Sequence, residues 1–155
     1  MAAQCEFRLG RMADAVAIAH LSRVQIEQGL SWRWTPARVL RELRNPDSVV
    51  ICARLDQRLA GFAIMHFGWE EAHLLLLAAD PAYRRIGVGR GLVEWLEKSA
   101  RVAGIATVWL EVRAANNGAI AFYRRLGYRE RQRLPGYYDG LEAAVRMARD
   151  VRIAG

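Results

Sequence analysis

The sequence predicts an α/β domain built on a mixed sheet. Short apolar runs typical of strands recur along the chain, and between them lie segments whose apolar side chains return every three or four residues, as on one face of a helix. The predicted order is strand, two helices, three strands, helix, strand, helix and two strands. The chain has 155 residues, of which 53% are hydrophobic and 25% are charged, which is enough for one core and too little for two. We therefore expect residues 1–155 to form a single domain.

The N-terminal third is predicted to hold a strand and two helices, at residues 4–9, 11–28 and 36–44. The first helix carries one apolar stripe and is expected to end at Gly29, because glycine commonly follows a helix. Thr35 followed by Pro36 is typical of an N-cap with proline at the first helical position. The dipeptide Asn45-Pro46 then ends the second helix, since proline does not continue one.

Three consecutive strands are predicted next, at residues 49–55, 59–67 and 71–79. The polar residues 56–58 form a turn, so the first two strands make a hairpin, and Gly68 ends the second of them. The third strand contains an uninterrupted apolar run from Leu74 to Ala79. This lack of alternation indicates a strand that is covered on both faces.

The rest of the chain is predicted to hold a helix, a strand, a second helix and two strands, at residues 87–103, 107–112, 118–126, 128–134 and 143–147. In the first helix apolar residues recur every four positions from Val88 to Ala100, which makes it the clearest helix of the sequence. Gly104 and Gly127 mark the ends of the two helices. The intervening strand is apolar except for one acid, Glu111, near its middle.

Charge and hydropathy exclude several classes of function. The formal net charge is +7, and Lys98 is the only lysine among 23 basic residues. The arginines are spread along the chain with acids between them and form no basic run with interleaved aromatic residues, so we do not expect a nucleic-acid partner. No apolar run approaches the roughly 20 residues that cross a bilayer, and the first residues lack the order of a secretion signal. We expect a cytoplasmic protein without a membrane partner.

The cysteines and histidines predict no metal site and no disulfide. Cys5 and Cys52 lie in apolar, strand-like segments, where a thiol behaves as a small hydrophobic group. The histidines His20, His66 and His73 are not placed at metal-ligand spacing from cysteines or carboxylates.

The segment from Arg84 to Gly89 lies between a buried strand and the start of the clearest helix. Glycines at this junction let a ligand approach the backbone closely, and the unpaired N–H groups of the first helical turn form a site for a pyrophosphate group. The segment is not a dinucleotide fingerprint, because the third glycine of that motif would fall at Leu92, and no Gly-Lys-Ser/Thr sequence makes it a P-loop.

Residues 80–92, DPAYRRIGVGRGL, resemble the acetyl-CoA signature of the GCN5-related N-acetyltransferases (GNAT). Residues 110–128, which begin LEVRAAN and end FYRRLGY, are similar to the ribosomal-protein alanine N-acetyltransferase subgroup of that family. Paired tyrosines at 137–138 and Glu142-Ala143 extend the likeness, although alanine here takes the place of an aspartate. The resemblance covers roughly residues 70–148. It implies a mixed, mostly antiparallel central sheet of about seven strands flanked by about four helices.

The resemblance also implies that acetyl-CoA is the acetyl donor. Backbone amides near the helix start would bind its pyrophosphate, nearby arginines would add charge, and a strand backbone would pair with its pantetheine arm. The residues implied for the donor are Leu77, Ala78, Ala79, Arg84, Arg85, Ile86, Gly87, Val88, Gly89, Arg90, Asn116 and Tyr123. The alternative for the arginines is a helix entry with surface charges.

Glu111 is the candidate general base, because an acid in an apolar strand is costly to bury without a partner or a task. The alternative is an ion pair with a neighbouring arginine such as Arg113. Tyr123 is the candidate acid that protonates the departing CoA thiolate, and otherwise a half-buried aromatic residue. Asn116 either hydrogen-bonds the donor or caps the following helix.

The sequence gives less information on the residues that bind the acceptor than on those that bind the donor. Tyr137 and Tyr138 would hydrogen-bond a peptide backbone or would simply be hairpin aromatics. Trp32 and its neighbour Trp34, in the connection between the first two helices, would line the acceptor pocket or would pack. His66 and His73 lie in the hairpin region, and either is a candidate for a substitute base or a proton relay, with a hydrogen-bonded or surface histidine as the favoured alternative.

We therefore predict an acetyl-CoA-dependent N-acetyltransferase that works by direct attack of a primary amine on the thioester, without a metal. The resemblance favours a protein N-terminal α-amine as the acceptor, and a small-molecule amine is the alternative. A non-catalytic acyl-CoA-binding domain is a third hypothesis, and it is disfavoured because Glu111, Asn116 and Tyr123 occur together. The protein would act as a monomer or a homodimer.

Overall fold

A computed structural model describes residues 5–83 and 86–152, which include a seven-stranded sheet and four α-helices. The strands are β1 (Glu6–Leu9), β2 (Ser48–Leu55), β3 (Arg58–Phe67), β4 (Glu71–Ala79), β5 (Thr107–Arg113), β6 (Arg129–Tyr138) and β7 (Glu142–Asp150). The helices are α1 (Ala15–Gln25), α2 (Pro36–Arg44), α3 (Val88–Val102) and α4 (Asn117–Arg125). This order of elements confirms the predicted fold class.

The sheet is mixed and mostly antiparallel. Its strand order is β1-β2-β3-β4-β5-β7-β6, and β4 with β5 is the parallel pair. Apolar side chains of one face pack against α1 and α2, and those of the other face pack against α3 and part of α4. The fully buried residues on the α3 side include Leu92, Leu96 and Leu110, in agreement with the four-residue spacing of the predicted helix.

The first predicted helix differs from the structure. The segment 11–28 is a short 3₁₀ turn, Met12–Asp14, followed by α1, which already ends at Gln25. The helix ends early because the guanidinium of Arg113 donates hydrogen bonds to the carbonyls of Ile26 and Gln28, which replaces the bonds that further helical turns would make.

The last two strands are longer than predicted. The first of them is predicted at residues 128–134, yet Pro135 and Gly136 also lie within β6. Because β6 is at the edge of the sheet, its proline does not have to donate a ladder hydrogen bond. The register between β6 and β7 shifts between Leu134 and Tyr138, where this pair of residues is accommodated.

The cleft of the molecule begins where β4 and β5 separate. These strands pair from Glu71 opposite Thr107 to Leu74 opposite Leu110, and the described residues of the two strands pair no further. At the same level β4 has a bulge, because Met65 pairs with Leu74 and Ile64 with Leu76, which leaves Leu75 unpaired. A bulge bends its strand and increases the local twist, and this turns the end of β4 away from β5.

Candidate active site

Glu111 lies on β5 at the point where β4 diverges, with both carboxylate oxygens engaged. Oε1 is 2.7 Å from Nε2 of His73 on β4 and accepts a hydrogen bond from the hydroxyl of Tyr137, at 3.2 Å. Oε2 accepts a hydrogen bond from Nε of Arg146 on β7, at 2.8 Å. The side chain of Glu111 is only 6% exposed, so an apolar strand here carries a buried, fully hydrogen-bonded carboxylate.

The surroundings of Glu111 stabilise its charged form. Burial alone would raise the pKa of this carboxyl, but the hydrogen bonds and positive charges of His73 and Arg146 outweigh burial and hold its pKa below the ordinary value. The carboxylate is therefore ionised at neutral pH. A positively charged amine that enters this site meets a fixed negative charge.

The ion pair proposed as an alternative role for Glu111 exists, but with a different arginine. Arg146 faces Glu111 directly across the β5–β7 ladder. Arg113 instead forms a two-point pair with Glu142 of the β6–β7 hairpin, with an Nε to Oε1 distance of 2.9 Å. Sequence reasoning did not identify Arg146, because only the register of two strands distant in sequence brings it opposite Glu111.

His73 is held rigidly beside Glu111. Its ring stacks on the indole of Trp109, its partner across the β4–β5 ladder, with ring centroids 3.7 Å apart and planes inclined by 9°. The guanidinium of Arg146 also lies over that indole, 4.8 Å from its centroid. Trp109 therefore orients two of the three residues that contact Glu111, namely His73 and Arg146, and His73 is the neighbouring group with which Glu111 can share a proton.

A cavity of about 280 Å³ opens beside Glu111. Its lining comes from the α1–α2 connection, β4, β5 and the β6–β7 hairpin, and comprises Ile26, Glu27, Leu30, Ser31, Arg33, Trp34, Arg38, His73, Leu75, Leu76, Glu111, Tyr137, Tyr138 and Asp139. We call it the acceptor cavity. Glu111, Tyr137 and Tyr138, which sequence reasoning had put forward separately, thus line the same cavity.

The tryptophan prediction needs a correction. Trp34 lines the acceptor cavity, whereas Trp32 lies outside that lining. The indole N–H of Trp32 donates to the carbonyl of Ala19 on α1, at 3.3 Å, and its ring packs under the guanidinium of Arg23. These contacts direct Trp32 toward α1 and away from the cavity.

Two acids that the sequence did not single out shape the cavity walls. Glu27 is buried and accepts hydrogen bonds from the backbone N–H groups of Arg33 and Trp34, which folds the α1–α2 connection around it. Asp139, in the β6–β7 turn, accepts from the backbone N–H of Ser31 at 2.7 Å and from the Arg33 guanidinium at 2.8 Å. Asp139 therefore ties the two loops together across the cavity. The Asp-Gly sequence at 139–140 signals a turn but gives no hint of this contact.

Tyr123 lies on α4 in the core on the opposite side of the sheet, and it is not part of the acceptor-cavity lining. Its ring contacts Phe122 and Tyr128 edge to face. Burial raises the pKa of this phenol well above its ordinary value, and the neighbouring Tyr138 adds to the effect. The hydroxyl therefore keeps its proton at neutral pH. This is required of an acid, although the raised pKa makes the proton harder to transfer.

The start of α3 has the form of an anion site. Gly87 is its N-cap, with a φ of 78°, and a Cβ at this position would meet nothing within 4 Å. The first-turn N–H groups of α3, around Val88 and Gly89, point to this open space. Of the charged residues predicted here, Arg90 is exposed and pairs with Glu94 at 2.8 Å, while Arg84 and Arg85 lie outside the described residues.

The diverging end of β4 has free backbone on the side that faces β5. Leu77, Ala78 and Ala79 pair with β3 on one side, and their other side borders the gap left by β5. Asn116, at the far side of this gap, caps α4: its Oδ1 accepts a hydrogen bond from the N–H of Ala119 at 3.1 Å. Of the two roles considered for Asn116, the helix cap is the one that the protein's own hydrogen bonds form. A hydrogen bond to the donor stays a prediction.

The described residues contain neither a cluster of metal ligands nor a helix suited to a membrane. Over 5–83 and 86–152 no three His, Cys, Asp or Glu side chains converge as metal ligands would. Among the helices of these same segments, none combines the length and the apolar character that crossing a bilayer requires.

Comparison with known proteins shows which family of proteins the chain resembles. Residues 16–128 match the model of the acetyltransferase (GNAT) family. The chain is 46% identical over 94 residues to the ribosomal protein bS18-alanine N-acetyltransferase of Escherichia coli K12, across 59% of this chain and 64% of that relative's length. It is 25% identical to an N-alpha-acetyltransferase of Sulfurisphaera tokodaii over 92% of both chains.

Among solved structures, the ribosomal-protein-S18-alanine N-acetyltransferase of Escherichia coli is similar with a TM-score of 0.84 and 32% identity. That match covers 98% of this chain and 97% of the solved one, so the resemblance in fold extends beyond the segment that aligns in sequence. The family match spans four of the seven strands, β2 to β5, and the four helices except for the first residue of α1. The chain therefore belongs to the acetyltransferase (GNAT) family.

Proposed function

We propose that this protein transfers an acetyl group from acetyl-CoA to a primary amine, and that the acceptor is the N-terminal α-amine of a protein. The observation that carries the proposal is the position of Glu111, an ionised carboxylate that lines the acceptor cavity where β4 and β5 separate. Family membership supports acetyl transfer, and the names of the bS18-alanine and N-alpha relatives support the α-amine.

The donor is proposed to lie in the gap between β4 and β5. The thioester supplies an activated acyl group that an amine can attack directly. The N–H groups at the start of α3 would hold the pyrophosphate, with Ile86 and Gly87 forming the turn that leads to them, and the free backbone of Leu77–Ala79 would pair with the pantetheine arm. The geometry at Gly87 fits this assignment, because its φ of 78° favours glycine and a Cβ there would meet nothing within 4 Å, which leaves room for a ligand beside the turn.

Glu111 is proposed to hold the incoming ammonium and to take its proton. The α-amine has an ordinary pKa of about 7.7–8.0, far above that of a carboxyl, so proton transfer from the free ammonium to Glu111 is uphill. The ammonium therefore loses its first proton to solvent, and the neutral amine attacks the thioester carbon with its lone pair. Once that bond has formed, the nitrogen is a much stronger acid, and transfer of its next proton to Glu111 turns favourable. Glu111 therefore acts best as the new bond forms, and His73 keeps it oriented through the 2.7 Å contact.

Tyr123 is proposed to protonate the CoA thiolate as it leaves. Its place on α4, on the donor side of the sheet, and its retained proton support this role. Tyr137 and Tyr138 are proposed to contact the acceptor backbone at the mouth of the cavity. No covalent bond to the protein is needed in this sequence of steps.

The proposal is tested by incubating the purified protein with acetyl-CoA and two sets of acceptors: peptides with free or blocked α-amines, and small primary amines. Release of free thiol is measured, and mass spectrometry locates the acetyl group. We expect acetylation at the α-amine of free peptides and no reaction of blocked ones. Turnover of small amines with none of the peptides would overturn the choice of acceptor.

A further inference from the structure

A second cleft continues from the acceptor cavity along the sheet. It has a volume of about 460 Å³ and is lined by His66, Gly68, Trp69, Glu70, Glu71, His73 and Trp109. His73 lines both spaces, so the acceptor cavity and this cleft meet at its ring. We call this second space the downstream cleft.

The downstream cleft is lined by an aromatic side chain that is not packed into the core. Trp69, at the tip of the β3–β4 hairpin, is 93% exposed, although an indole normally buries most of its large apolar surface. It is the most exposed of the large hydrophobic side chains in the described part of the chain. A residue of this kind beside an active site is a candidate contact for a partner.

The charge of this cleft is opposite to that of the molecule. Glu70 and Glu71 are exposed at its rim, in a protein whose formal net charge is +7. Two arginines near this face pair with other carboxylates, Arg146 with Glu111 and Arg152 with Asp150. Asp150 raises the pKa of Arg152, and Glu70 lies close enough to that guanidinium to add to the effect. Among the ion pairs of the described residues, none includes Glu70 or Glu71, so both carboxylates can still pair with a cationic partner.

Strand geometry aligns these residues with the reacting centre. Glu71 and His73 are two residues apart on β4 and so point to the same face of the sheet, and Trp109 is the cross-strand partner of His73 on that face. Glu111 lies two residues beyond Trp109. An extended chain advances about 3.3 Å per residue, so an acceptor whose first residue lies at Glu111 reaches Glu71 at about its fifth residue and Trp69 shortly after.

We propose that the downstream cleft binds the acceptor polypeptide beyond its N-terminus and selects lysine or arginine at about the fifth to seventh residues. This inference rests on the proposed function, because it requires a polypeptide acceptor. Glu70 and Glu71 would pair with the cationic side chains, and the face of Trp69 would contact one of them by a cation–π interaction. The donor is proposed to occupy the other end of β4, which leaves this side open to the acceptor.

The test uses ten-residue peptides that share their first four residues and carry Lys, Gln or Glu at positions five to seven. For the parent protein we expect kcat/KM to fall about tenfold from the Lys to the Glu peptide, mainly through KM, and the preference to weaken with added salt. In the double variant Glu70→Gln/Glu71→Gln the Lys and Glu peptides should react about equally, with the Gln peptide unchanged. Trp69→Ala should reduce kcat/KM for the Lys peptide several-fold.

Glu130→Gln is the matched control, since it removes an exposed carboxylate from the edge strand β6, and it should keep the parent's preference. Equal rates of the parent with all three peptides, or a preference that survives in the double variant, would overturn the inference while leaving α-amine acetylation intact. If no peptide reacts while small amines do, the proposed function is wrong, and the proposed role of the downstream cleft is wrong with it. A change in oligomeric state caused by Trp69→Ala would assign the cleft to a second copy of the chain and also overturn the inference.

Discussion

Glu111 performs two tasks with one carboxylate, because it closes an ion pair with Arg146 and faces the acceptor cavity. Replacing it by Gln keeps the side-chain volume and the possibility of hydrogen bonds from His73 and Tyr137, but removes the base. We expect kcat to fall by about 10²–10⁴-fold with the affinity for acetyl-CoA retained. Steady-state kinetics and calorimetric titration with CoA measure the two quantities. Activity within a few-fold of the parent would place the base elsewhere, with His73 as the next residue to replace.

Tyr123→Phe tests the proposed acid. Phenylalanine keeps the ring and its contacts with Phe122 and Tyr128, so the fold should survive. An ordinary thiol has a pKa of about 8.5 and a phenol about 10, and burial raises the pKa of Tyr123 further, so proton transfer is uphill and should matter most for basic thiolates. We expect slower turnover with acetyl-CoA and a smaller defect with a thioester whose leaving thiol has a lower pKa. Equal defects for both thioesters would make Tyr123 a packing residue.

The pH dependence of the reaction follows from the lowered pKa of Glu111. Its carboxylate stays ionised as the pH falls, down to below the ordinary range of a glutamate, so it does not limit the rate near neutrality. We expect kcat/KM to rise with pH up to the pKa of the acceptor amine, about 7.7–8.0 for an α-amine, and then to level off. Acceptors with less basic amines should shift this inflection downward. An inflection that stays constant across amines but moves in His73→Gln would assign the titration to the protein.

At the scale of elements, replacing two helical glycines by alanine should change the free energy of unfolding in opposite directions. A Cβ on Gly91 of α3 would clash with the ring of Phe7 on β1, so in Gly91→Ala the ring or the helix has to shift. We expect a loss of about 1–3 kcal/mol in the free energy of unfolding. Gly118 of α4 has only the Asn116 side chain within reach, at 3.8 Å, and Gly118→Ala should be neutral or stabilising by up to about 1 kcal/mol. Denaturant titrations compare the two, and equal effects would contradict the packing argument.

The elements themselves were largely predictable from the sequence. Prolines, glycines and polar turns mark the ends of five elements, namely β2, β3, β4, α2 and α3. The predicted ends of these elements agree with the structure to within about one residue. The position of Glu111 in an apolar strand was equally visible. Its partners were not, because the pairing of β5 with β7 joins residues some 35 positions apart. The bulge at Leu75 was also invisible, since it depends on how β4 fits β3 rather than on β4 alone.

At the scale of the molecule, acetyl-CoA or CoA should stabilise the native state. A ligand that binds only the folded protein adds about 2.7 kcal/mol at a concentration one hundred times its Kd. Gly89→Asp should abolish the shift in Tm, because its carboxylate repels phosphate at the start of α3 and its Cβ would lie 3.2 Å from Phe122. Circular dichroism checks that this variant folds. An unchanged Tm for the parent with saturating CoA, and no difference between parent and variant, would reject the donor site.

We infer that residues 5–152 fold as one domain, because the sheet runs without interruption from β1 to β6. Among the pairs of interior strands, the shortest ladder is that between β4 and β5, which joins only Glu71–Leu74 to Thr107–Leu110. Four strands lie on one side of this ladder and three on the other. We therefore expect these two parts of the sheet to rotate against each other about the short ladder more easily than any other parts. A donor bound where β4 and β5 separate would contact both parts, so we expect the molecule to be stiffest when it is ready to react.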